Sequence, residues 1–116
     1  MPIEELQDGA TQRIASVLHY LIYHARYVQF YHELRLGVGD DVGKLSDLIG
    51  RAQREFIRLK EDEEHREYIM KMAWPGREDI MQVQRHHEKY GKKYLQILLG
   101  MTAGVCSRCL EEKGGT

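Results

Sequence analysis

The sequence predicts an all-α fold, a bundle of three long antiparallel helices, and three observations predict it. Apolar residues recur at three- and four-residue steps along most of the chain, glycine and proline cluster at two places, and no stretch alternates apolar with polar as a half-buried strand does. The breakers are the GVGDDVG run at Gly37–Gly43 and Trp74-Pro75-Gly76. At 116 residues the chain suits one small domain, and it contains no internal repeat.

The first helix is expected over about 11–36, with Ile14, Val17, Leu18, Leu21, Ile22, Ala25 and Val28 on one face. Asp8 or Thr11 offers a side-chain oxygen to cap its start, and Gly37 suits a left-handed end. The second runs over about 45–73 on Leu45, Leu48, Ile49, Ala52, Phe56 and Leu59, then Ile69, Met70 and Ala73. Charge interrupts its stripe between Leu59 and Ile69, and Pro75 stops it because proline lacks an N–H and disfavours helix just before itself. The third runs over about 77–105 on Ile80, Val83, Tyr90, Tyr94, Ile97, Leu98, Met101 and Val105. Gly91 lies inside it at a cost of about 1 kcal/mol against alanine, marking a bend or a close helix contact. Residues 1–105 then form the domain, and 106–116 a short tail carrying a C-x-x-C pair.

Each rod would be roughly 40 Å long at about 1.5 Å per residue. Three such rods with short connections leave an apolar groove, so self-association or docking to another subunit is expected. Tyr20, Tyr23, Tyr27 and Tyr31 on the first helix are the candidate interface residues. The alternative is that they pack at the core margin with hydroxyls in water.

Seventeen Lys+Arg against 18 Asp+Glu give a net charge of −1, which excludes a strongly basic nucleic-acid cloak and an acidic disordered tail. The acidic start MPIEELQDG lacks the basic flank and apolar run of a signal peptide. The longest uncharged stretch, Tyr94 to Ser107, falls short of the roughly 20 residues that cross a bilayer. A soluble, cytoplasmic protein with reduced cysteines and no membrane partner is the expectation.

Two groups of residues have metal-ligand chemistry. Hairpins turning near Asp40 and Pro75 bring His19, the Asp62–His65 segment and the His86–Glu88 segment to one level, making His19, Glu63 and His87 a candidate set. The Glu-x-x-His tetrapeptide of paired-carboxylate bundles is absent, and a layer of ion pairs and hydrogen bonds is the competing reading. The second group is Cys106-Ser107-Arg108-Cys109. At the end of a long helix the dipole has the wrong sign for a catalytic thiol pair. Zinc needs four ligands, so the pair would need His32, expected at the same end of the bundle, or the pair of a second protomer. An unligated thiol pair is the remaining alternative.

Arg51, Arg54 and Arg58 lie along one side of the second helix, and an oligomer repeating that stripe could follow a nucleic-acid backbone. A solvated helix face is the alternative. Arg26-Tyr27-Val28-Gln29-Phe30 with Lys44 to Gln53 locally resembles small helical subunits of type III CRISPR effector complexes, over a quarter of the chain at most. That resemblance implies a helical subunit of an RNA-guided assembly; the aromatic C-terminal pattern expected there is missing. No nucleophile elbow, phosphate loop, dinucleotide fingerprint or H-E-x-x-H occurs. The sequence therefore points to a non-catalytic oligomeric structural or adaptor subunit, with the nucleic-acid subunit and a metal-binding bundle as alternatives.

Overall fold

The computed structural model describes residues 8–72 and 76–114. The fold is all-α: α1 (Gly9–Tyr23), α2 (Val28–His32) running into a π-helical turn (Glu33–Gly37), α3 (Val42–Leu59), α4 (Arg66–Lys71), α5 (Arg77–Tyr90), α6 (Lys92–Met101) and α7 (Ser107–Gly114). No strand occurs among the described residues, and none of their helices is long and apolar enough to cross a membrane. The expected end of the second helix at Ala73–Pro75 lies outside the described residues.

The three expected rods are each divided. The first breaks at His24–Tyr27, where Arg26 takes φ 63° and the Tyr27 N–H donates to the Leu21 carbonyl. The reason is phase. At about 100° per residue, Phe30 and Leu34 of an unbroken helix would point roughly 140–180° away from the Ile14–Leu18 face. The break re-aims both into the core, and Val28, expected inside, is exposed instead. Gly37 does not take the left-handed conformation; Gly39 does, at φ 56°.

The second rod unwinds through Lys60–His65. Successive N–H groups there bond three residues back, and Asp62 accepts the Glu64 N–H in a local turn. The third turns at Gly91 (φ 57°), where an added Cβ would lie 2.6 Å from Asp40 Oδ1. That same carboxylate accepts the Lys92 N–H at the start of α6. The glycine is thus both a bend and a close contact.

α6 runs parallel to α1. The Thr11 hydroxyl meets the Tyr94 hydroxyl at 2.8 Å, and about two turns further along both helices His19 meets the Thr102 carbonyl, also at 2.8 Å. Ile14, Leu18, Leu21, Leu45, Leu48, Phe56, Ile69, Val83, Tyr94 and Leu98 meet in one core. The expected apolar stripes supply most of it. Its radius of gyration is 13.8 Å, close to the ~13 Å of a compact single domain of this length. The unbroken 40 Å rods that motivated an obligatory partner are therefore replaced by short helices folded over a shared core. Tyr20, expected at an interface, is fully buried within the chain; Tyr23 is exposed, and Tyr27 and Tyr31 are half-buried.

Candidate metal centre

The turn after α6 decides where the cysteines go. Thr102 closes α6, its hydroxyl donating to the Leu99 carbonyl, and the chain reverses through Ala103–Gly104. Cys106 then stands at the head of α7, its carbonyl accepting the Leu110 N–H. The C-x-x-C pair therefore opens a helix, where the expectation placed it at the end of one. The dipole argument against it reverses sign accordingly. Within the segment expected as a tail, Ser107–Gly114 form a docked helix. Ser107 Oγ donates to the Tyr68 carbonyl, Arg108 lies 4.8 Å from the Tyr68 ring centroid, and Lys71 pairs with Glu111.

Docking α7 there brings the two thiols to the end of α1. Cys109 Sγ lies 3.3 Å from His19 Nε2, 3.1 Å from His24 Nε2 and 3.8 Å from Cys106 Sγ. One donor atom from each of His19, His24, Cys106 and Cys109 falls within 4.8 Å of every other. Cys106 and His19 are buried, and Cys109 and His24 half-buried.

The imidazoles are prepared as ligands. His19 Nδ1–H donates to the Thr102 carbonyl, which leaves the Nε2 lone pair facing the cysteines. Fixing a tautomer through the far ring nitrogen is how metal-binding histidines are generally oriented. For His24, burial and then the nearby Arg108 charge lower the pKa, keeping the ring neutral. Burial pushes the Cys106 thiol up, against the pull of the Cys109 and Arg108 backbone N–H groups. A bound cation would have to displace that proton.

The other expected sets do not assemble. His32 is exposed on α2, beyond the break, and His24 takes the place proposed for it. The four donors come from a single chain, so a second protomer's thiols are not needed. Of His19, Glu63 and His87, the first turns to the cysteines and Glu63 is exposed. His87 is 1% exposed, with Nε2–H donating to the Gly39 carbonyl and Nδ1 without a partner. His65, from the same expected segment as Glu63, instead meets the Tyr20 hydroxyl through Nδ1 at 2.6 Å. The basic stripe is largely engaged within the chain. Arg51 pairs with Glu33, Arg58 with Glu55 and the Tyr27 hydroxyl, and Arg54 stays exposed.

No family model, curated protein or solved structure matches the chain. The functional reading therefore stands on the geometry alone.

Proposed function

We propose that this protein is a non-catalytic, zinc-binding helical domain in which His19, His24, Cys106 and Cys109 hold one ion and pin α7 to α1. The observation that carries the reading is the convergence of two imidazole nitrogens and two sulfurs, all within 4.8 Å of one another. With Zn–S of about 2.3 Å and Zn–N of about 2.0–2.1 Å, a tetrahedral site has S···S edges of about 3.8 Å and N···S edges of about 3.6 Å. The cysteine pair already stands at 3.8 Å, and the two nitrogens at 3.1 and 3.3 Å from Cys109. The three edges at Cys109 thus lie within about half an ångström of the tetrahedral values, and the other three are no longer than 4.8 Å.

Donor chemistry selects the ion. Two thiolates with two imidazoles in tetrahedral array suit zinc, whereas hard cations prefer oxygen ligands. Two thiolate charges neutralise Zn²⁺, so burying the complex carries little net charge. Four protein ligands leave no open position for substrate, the mark of a structural site rather than a catalytic one. Such a site remains compatible with an adaptor role in a larger assembly.

The test is reconstitution. Metal-free protein titrated with Zn²⁺ under reducing conditions is expected to take up one equivalent per chain. Cobalt in its place should give the visible spectrum of a tetrahedral thiolate site. Cys109→Ser and His24→Asn should lose stoichiometric binding, while His32→Ala and His87→Ala should retain it. Binding that survives Cys109→Ser would overturn the assignment.

A further inference from the structure

The metal assignment leaves open what can empty the site, and the cysteines answer it. Resting on that assignment, we propose that Cys106 and Cys109 form a peroxide-sensitive pair, whose oxidation to a disulfide expels the zinc and releases the clamp on α7. Four observations support this. The two sulfurs are 3.8 Å apart and in direct contact. They flank the first turn of one helix, so closing from 3.8 Å to the roughly 2 Å of an S–S bond takes side-chain rotation and a local tightening of that turn. They are the only two cysteines in the chain, so no other intramolecular pairing competes. Cys109 is half-buried whereas Cys106 is 2% exposed, so a small oxidant meets Cys109 first.

The chemistry balances with a hydroperoxide as oxidant. The Cys109 sulfur attacks the terminal peroxide oxygen and breaks the O–O bond. It becomes a sulfenic acid, and the displaced hydroxide (or alkoxide) takes a proton from solvent. The Cys106 sulfur then attacks the Cys109 sulfur, the S–S bond forms, and the second hydroxide leaves as water after taking another proton. Two electrons pass from the thiolate pair to the peroxide. The disulfide carries no thiolate charge, so the ion keeps only His19 and His24 as ligands and departs as Zn²⁺. α7 is then held by its Tyr68, Lys71 and core contacts without the metal.

The full-length protein is loaded with zinc, freed of reductant and treated with hydrogen peroxide. Released zinc is followed with a chromogenic chelator, and the intact mass is recorded. The expected result is one zinc released per chain, together with the loss of two hydrogens, and recovery of zinc binding after dithiothreitol and fresh Zn²⁺. Retention of zinc at a peroxide level that oxidises free thiols overturns the switch. So does a gain of oxygen atoms without the disulfide, or disulfide formation with zinc still bound. These outcomes leave the metal assignment standing. Failure to load zinc at the outset removes that assignment, and the switch with it.

Discussion

His19 and His24 are five residues apart, and on an unbroken helix that spacing sets their side chains about 140° apart around the axis. They converge on Cys109 at the end of α1, where His24 occupies the cap and α7 is laid across it. This is why the cysteine pair was legible in the sequence and its histidine partner was not. The motif is local, whereas the partner depends on where a helix stops. Removing one of four ligands is expected to weaken zinc binding by at least the roughly 10–100-fold typical of losing a supporting contact. Competition with a calibrated chelator measures this, with His32→Ala as the unchanged control. A second residue-scale prediction concerns Asp8, which caps α1 by accepting the Thr11 N–H at 2.9 Å and contacts His86 at 3.0 Å. Burial raises its pKa, but the bonds from Thr11 and His86 outweigh burial and the net shift is downward. A lowered carboxyl stabilises the fold above its unfolded value, about 3.9, and loses that contribution as pH falls through the lower folded value. Asp8→Ala is therefore expected to cost about 1 kcal/mol at neutral pH, a difference that shrinks in acid denaturation below about pH 4.

Helix identity was readable and helix continuity was not. The Leu45–Leu59 stripe and its neighbours placed the core, because apolar spacing records which face is buried. The break at His24–Tyr27 contains neither glycine nor proline, so no composition signal announces it. The signal present was subtler: Phe30 and Leu34 are out of phase with the face that precedes them. Because Arg26 holds a left-handed conformation that costs a non-glycine residue roughly 1–2 kcal/mol, Arg26→Gly is expected to be neutral or stabilising by up to about 1 kcal/mol. Urea unfolding reads this, and a loss above 1 kcal/mol would argue against the break. Gly91 is the reverse case. Its positive φ and the 2.6 Å approach of Asp40 Oδ1 make Gly91→Ala destabilising by about 1–3 kcal/mol. A neutral result would deny that the α5–α6 bend is fixed.

At the scale of the molecule, closure comes from α6 and α7 meeting α1. α6 lies along α1 through Thr11–Tyr94 and His19–Thr102, and α7 then folds back onto α1 and α4. This removes the physical argument that three bare rods need company, and sedimentation with and without chelator asks the oligomer question directly. The metal is expected to matter at the closure rather than in the core. Chelation should lower the melting temperature and loosen α7 while leaving the α1–α3–α5 core folded. Amide exchange should therefore accelerate at Cys106–Lys113 and around His24, not along Leu45–Leu59. The most direct measurement is native mass spectrometry of the purified, reduced protein after zinc reconstitution. One zinc per chain, lost in Cys109→Ser, is the predicted result; a metal-free chain in both proteins would contradict the account.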